Sequence, residues 1–365
     1  MRHYIVILIM AGIPALIFAQ NPQVSNEPKV KYFDHNYFLI EGTTFQDSVK
    51  ENLYDRFPSS YKDKVRDAVW SLSTSSAGIS VRFSSSSTSI KVRWELMRDA
   101  KMNHMAETGI KGIDLYCRID GSWQFINTAR PVGKVNDFAL ISNMTPEWRE
   151  FKMYLPLYDG VTKLEIGIDS LSTIRKPLKS TRKPLVFYGT SITQGGCASR
   201  PGMVHTSIIS RKLDVDCINF GFSGNGRMEK PVAELISGID ASVFVIECVN
   251  NMTPEQINEN TIPLVEIIRS KHPVTPIVFV EGFIGETAYL NESSMDAIVA
   301  RNDMLKNEYQ KMADRGFKNI YYIKEAGGKG TDHEATVDGV HLTDLGFLRY
   351  ADFLIKKFKR LRLPI

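Results

Sequence analysis

From residue 185 onward, short apolar runs alternate with amphipathic stretches. Residues 185–188, Leu-Val-Phe-Tyr, form an apolar run of buried-strand type, and residues 216–222 and the strongly β-branched residues 241–249 repeat it. Between these runs, residues 203–213 and 229–236 carry helical spacing. Thr253-Pro254-Glu255 reads as a helix start, with Thr as N-cap, Pro at the first helical position and an acid in the first turn. Ile257, Ile262, Leu264, Ile267 and Ile268 supply the apolar face of that helix. Residues 276–280 and 319–323 predict two further strands, separated by a helix within 294–315, and residues 343–360 predict a closing helix. Repeated β–α units of this kind imply a parallel sheet covered by helices on both faces.

The first half alternates with a period of two instead. Ile79, Val81 and Phe83 are separated by polar residues, as are Ile90, Val92, Trp94 and Leu96. Ile113, Leu115, Cys117 and Ile119 follow, and Asp120-Gly121 turns the chain into Trp123 and Phe125, a hairpin signal. Phe151, Met153, Leu155 and Leu157, then Leu164, Ile166 and Ile168, extend the pattern. One-faced strands joined by turns predict an antiparallel sandwich. Residues 170–184, rich in Lys, Arg, Ser and Pro, read as a connecting segment. The expected organisation is a leader at 1–20, a β domain at 21–172, a linker at 173–184 and an α/β domain at 185–365.

The leader is expected because Arg2 and His3 precede an apolar run from Tyr4 to Phe18, and Ala19-Gln20 offers a cleavage point. That run is short for a membrane span. A periplasmic or secreted mature chain without a membrane span follows. The chain has 365 residues, enough for two cores, and its net charge of +4 is too small to argue for nucleic acid. Cys117, Cys197, Cys217 and Cys248 lack metal-ligand spacing, and their pairing stays open; Cys217 and Cys248 fall in expected strands.

Candidate chemistry concentrates in the second half. Ser191 follows the 185–188 run in Gly189-Thr190-Ser191-Ile192-Thr193, and Asp338-Gly339-Val340-His341 lies near the C-terminus. A serine hydroxyl becomes a useful nucleophile when a histidine takes its proton and a carboxylate fixes that histidine's tautomer. The order Ser, Asp, His supplies all three. Thr193 in place of a second glycine argues against the nucleophile elbow of α/β-hydrolases. Gly195-Gly196 lacks the Lys-Ser/Thr of a phosphate-binding loop. Asp332, His333, Asp338 and His341 admit a metal-cluster reading, but no second cluster supports it. His205, near the nucleophile in sequence, is expected on a helix surface or pocket wall.

Four blocks in order resemble those of the SGNH (GDSL-type) hydrolases: Gly189-Thr190-Ser191, Asn219 to Gly224, Val249-Asn250-Asn251-Met252 and Asp338-Gly339-Val340-His341. Thr190 stands where the family has aspartate, and Val249 and Met252 flank the asparagine pair in place of the usual pattern. Gly112-Ile113-Asp114-Leu115-Tyr116 is similar to the marker of a subfamily with an N-terminal β domain. The resemblance implies a three-layer flavodoxin-like parallel sheet preceded by a jelly-roll-like sandwich. It implies Ser191, Asp338 and His341 as the catalytic triad. It implies an oxyanion hole from the N–H groups of Ser191 and Gly224 and the side chain of Asn251, with Asn250 as the alternative. All five residues follow expected strands and so gather at one sheet edge, where such sheets bind ligands. A serine esterase removing small acyl groups, acetyl above all, from carbohydrates is the expected function, with no metal or organic cofactor. A lipid-directed esterase or thioesterase, and a non-catalytic glycan-binding protein, are the alternatives. The β domain is expected to pack against its neighbour, with the apolar stretch 102–112 as interface.

Overall fold

The computed structural model describes residues 29–365; the expected leader at 1–20 lies outside them. The first half builds two antiparallel sheets from β1 (Val30–Phe33), β2 (Leu39–Glu41), β3 (Ser80–Ser85), β4 (Ile90–Leu96), β5 (Ile113–Ile119), β6 (Ser122–Ala129), β7 (Val135–Ile141), β8 (Arg149–Tyr154), β9 (Val161–Asp169) and β10 (Ile174–Arg175). One sheet has the order β1-β9-β4-β7; the other runs β10-β3-β8-β5-β6, with β2 paired to β3. Their inner faces enclose one core that contains Ile79, Val81, Phe83, Val92, Trp94, Leu115 and Ile166. These are the period-two positions, as a sandwich requires. The β5–β6 turn places Asp120 at φ 48° and Gly121 at φ 78°, the twist that suits a two-residue hairpin.

Two features of this half depart from the pattern. β7 is weakly marked in sequence, because it exposes Val135 to 69% and buries the polar Asn136, so that its residue types do not follow its alternating burial. The short helix α1 (Asp67–Ser73) and the chain before it leave the sandwich altogether. Phe57, Val65 and Val69 pack instead into the core of the second half. The nominal linker also begins inside the sandwich, since Ile174 pairs with Ser85.

The second half contains β11 (Leu185–Gly189), α3 (Ser191–Gln194), α4 (His205–Leu213), β12 (Cys217–Gly221), α5 (Lys230–Ile236), β13 (Val243–Glu247), α6 (Pro254–Lys271), β14 (Ile277–Val280), α7 (Glu292–Asp314), β15 (Ile320–Ile323) and α8 (Asp344–Arg360); α2 (Glu107–Lys111) precedes β5 in the first half. The sheet order is β12-β11-β13-β14-β15, all parallel. This is the flavodoxin-like order, with the chain reversing direction across the sheet at β11 and β13. Val186 and Tyr188 face α5, α6 and α7, whereas Leu185 and Phe187 face α4 and α8. The expected helix starts hold: Thr253 caps α6 with a complete capping box to Gln256. The face of α6 is narrower than expected. Ile262 and Ile267 are only partly buried, and Thr261 is buried in their stead, its hydroxyl donating to the Ile257 carbonyl at 2.6 Å.

The halves are knitted together. Met105 and Ile110 from the 102–112 stretch, with Ala77 and Leu157, share one core with Leu185, Phe187 and Ile192. Asp114, fully buried, accepts from Arg200 at 2.8 Å, from the Gly202 N–H at 2.8 Å and from Thr128 at 2.8 Å. Arg200 also donates to the Tyr116 hydroxyl. The Gly-Ile-Asp-Leu-Tyr segment thereby ties the sandwich to the loop after α3. Arg56 is buried beneath the sheet edge and donates to the carbonyls of Leu72, Ser75, Asn219 and Gly221.

Candidate active site

Ser191 is the first residue of α3, directly beyond the C-terminal end of β11. Thr190 caps this four-residue helix through its side chain, which accepts from the Ile192 N–H. A threonine oxygen is thus sufficient where the family carries aspartate. Asn219 on β12 braces the helix by donating to the Thr193 carbonyl at 2.5 Å and to Thr206 at 3.0 Å.

His341 reaches Ser191 from the loop before α8. Its Nε2 lies 2.8 Å from Ser191 Oγ, and its Nδ1 lies 2.7 Å from Asp338 Oδ2. The other oxygen of Asp338 accepts from the backbone N–H groups of His341 at 2.8 Å and Val340 at 3.0 Å. Partial burial opposes ionisation of Asp338. The hydrogen bonds from the His341 ring and from the two N–H groups outweigh it and hold the carboxyl at about 2. The carboxylate is therefore charged throughout the neutral range and fixes the proton on Nδ1, leaving Nε2 as the acceptor for the serine proton. Gly196 packs so close to the ring that a Cβ there would lie 3.1 Å from His341 Cδ2.

Ser191, Gly224 and Asn251, which carry the three expected donors, line the same cleft as His341. The backbone N–H groups of Ser191 and Gly224 have no protein acceptor among the described residues. Gly224 reaches its position with φ 69°, a conformation that glycine adopts without strain. Asn251 donates one amide N–H to the Phe222 carbonyl at 3.2 Å, which leaves its second N–H for the cleft. Asn250 is held differently. Its side chain both donates to the Phe283 carbonyl at 3.0 Å and accepts from the Phe283 N–H at 2.9 Å, which clamps it to the chain after β14. Ser191, Gly224, Asn250, Asn251 and His341 all line one cleft of about 580 Å³.

Residues that the sequence did not mark complete the surroundings. Glu247, at the end of β13, accepts from Thr193 at 3.0 Å and from Tyr350, and lies 3.2 Å from His205 Nε2. His205 is consequently not on a helix surface or pocket wall but fully buried. A carboxylate closing an otherwise apolar strand was the available signal for Glu247. The first half reaches the site too: Tyr158 donates to the Ser191 carbonyl at 3.4 Å, Gln194 donates to the Leu157 carbonyl at 3.1 Å, and the His104 ring stands 5.8 Å from the His341 ring.

The alternative grouping of Asp332 and His333 with Asp338 and His341, which the sequence left unsupported, does not form. Asp332 pairs with Arg349, and His333 with Glu286. His104, Cys197, Asp338 and His341 do bring one donor atom each within 4.8 Å of one another. A metal there would have to take His341 from Ser191 or Asp338. All four cysteines are free and buried.

Residues 182–359 match the model of the GDSL-like Lipase/Acylhydrolase family, and residues 30–174 match that of the N-terminus of Esterase_SGNH_hydro-type. A solved structure from Bacteroides ovatus, described as a GDSL-like lipase, is 35% identical over 92% of this chain and 99% of its own, with a TM-score of 0.88. The chain belongs to the GDSL-like lipase/acylhydrolase family. As a member it is a carboxylic ester hydrolase. More distant structures share the fold: a salicylyl-acyltransferase from a tetracycline biosynthetic pathway, 14% identical over 92% of this chain and 98% of its own (TM-score 0.77), and a family two carbohydrate esterase from Cellvibrio japonicus, 12% identical over 91% and 98% (TM-score 0.59). No curated protein matches the chain in sequence.

Proposed function

We propose that this GDSL-like hydrolase is a secreted or periplasmic serine esterase that removes small acyl groups, principally acetyl, from carbohydrates. The observation that carries the reading is the relay Ser191–His341–Asp338, with separations of 2.8 Å and 2.7 Å. Ser191 Oγ attacks the ester carbonyl while its proton passes to His341 Nε2. Asp338 orients His341 and stabilises the cation that forms. The N–H groups of Ser191 and Gly224 and the Asn251 amide receive the oxyanion. His341 then protonates the departing sugar oxygen, which leaves as the alcohol with the acyl-enzyme formed; a water deprotonated by His341 attacks the acyl group, and His341 returns the proton to Ser191 Oγ as the acid leaves.

The cleft supports a polar alcohol. Thr287, Ser293, Ser294, Asn250 and Asn251 share its wall with Phe283 and Ile298, a mixture suited to sugar hydroxyls and unlike an apolar acyl tunnel. The carbohydrate esterase with this fold points the same way. The reading is tested with p-nitrophenyl esters from acetyl to palmitoyl, followed by acetylated glycans. kcat/KM is expected to fall steeply beyond acetyl. A lipid pocket would instead gain up to about 0.8 kcal/mol for each methylene it buries, so a rise in kcat/KM with chain length contradicts the proposal.

A further inference from the structure

The wall of the cleft opposite the nucleophile is one face of α7. Ser294, Ala297, Ile298 and Arg301 recur along it at helical spacing, and all four line the cleft. Arg301 is half-buried there, and its guanidinium has no hydrogen-bond or ion-pair partner among the described residues. Arginine on a helix is ordinarily matched by an acid three or four residues away. Here those positions hold Ala297, Ile298, Met304 and Leu305. Glu292, Asp296 and Asp303 lie roughly 180°, 140° and 160° around the helix from Arg301, and Glu308, about two turns further along, is paired with Lys311.

The rest of the cleft supplies no counter-ion either. Apart from Arg301 and His341, its lining is uncharged. Glu286, next to the lining residue Thr287, is already paired with Lys329 and His333. The hydroxyls of Thr287 and Ser294 line the same region and make no side-chain hydrogen bond among the described residues. A planar fork of donors that shares its cleft with two unpaired hydroxyls and no acid is a complement to a carboxylate.

We propose that Arg301 forms an anion subsite that selects esters of acidic sugars, with the carboxylate of a hexuronic acid held between the guanidinium and the hydroxyls of Thr287 and Ser294. This rests on the esterase reading of the same cleft and narrows its substrate to acylated uronides. Arg301 binds the sugar and takes no part in proton transfer, so its effect falls on recognition.

The test uses the full-length protein and hydrolysis of p-nitrophenyl acetate, inhibited competitively by matched pairs of methyl glycosides: glucuronate against glucose, galacturonate against galactose, mannuronate against mannose. For at least one pair, the acid is expected to inhibit roughly 10- to 100-fold more tightly than its neutral partner, the range of a charged hydrogen bond. That advantage should shrink as NaCl rises from about 0.05 M to about 0.5 M. R301A should abolish it, R301K should restore part of it, and R301E should reverse it. Because the readout is a ratio within one protein, a general loss of folded enzyme leaves it unmoved. Equal inhibition by acid and neutral sugar in all three pairs, no inhibition by any acid, or an acid preference that survives R301A overturns the subsite while leaving the esterase intact. Failure of the wild type to hydrolyse p-nitrophenyl acetate overturns the esterase reading itself, and the subsite with it.

Discussion

At the scale of single residues, the site separates side chains that do chemistry from neighbours that hold the backbone. Asn250 and Asn251 are adjacent and both line the cleft, yet their hydrogen bonds differ. Asn250 spends its amide on both backbone groups of Phe283, whereas Asn251 makes a single donor contact. Removing one oxyanion-hole side-chain donor costs about 10²–10³ in kcat in a well-studied serine protease. N251A is expected to lose activity on that scale with KM little changed. N250A should lose less in kcat and show its effect in thermal stability, because it leaves the Phe283 N–H and carbonyl without their clamp. Steady-state kinetics and melting curves for both variants check this. A larger kcat loss in N250A than in N251A would move the oxyanion role to Asn250. The sequence could not make this distinction, since it depends on a contact with a chain segment more than thirty residues away.

At the scale of elements, what was legible followed from period and capping. The five parallel strands and the α6 start were visible because buried strands are apolar throughout and helix caps are local chemistry. β7 and α1 were not, because Val135 faces solvent and because Phe57, Val65 and Val69 serve a core belonging to another part of the chain. The same long-range packing produces a titration that no local pattern reveals. Asp216, just before β12, accepts from the Gly42 N–H at 2.9 Å. Burial and the nearby Glu41 charge push its carboxyl up to about 6, against the pull of Lys152. An acid whose pKa is raised on folding binds its proton more tightly in the native state, so this group's contribution to stability falls as pH rises from about 4 to about 6 and is level above. D216N keeps an acceptor for Gly42 and lacks the charge. Its melting temperature relative to wild type should therefore climb across that window, reaching a gain of roughly 1–2 °C near neutrality for each kcal/mol recovered. Thermal melts from pH 4 to pH 8 measure it; a difference independent of pH would mean that Asp216 is not titrating there.

At the scale of the whole molecule, the sandwich and the α/β half pack as one unit. The Asp114–Arg200 pair fixes the loop that follows α3, Tyr158 and Leu157 touch α3 itself, and Arg56 fills the sheet edge. A fragment beginning at Lys183 would uncover the surface now covered by Phe57, Val65, Met105 and Ile110. It is expected to be poorly soluble or to lose most of its activity. A fragment that is monomeric, melts cooperatively and keeps full kcat/KM on both a small ester and an acetylated glycan would show that the sandwich is only tethered. No helix among the described residues is long and apolar enough to cross a membrane. Ser191 is proposed as the single nucleophile of the reaction. A fluorophosphonate probe followed by peptide mass spectrometry tests it most directly: a single adduct on Ser191, absent in S191A together with ester hydrolysis, is the predicted result, and an adduct on a different serine or undiminished turnover by S191A would contradict it.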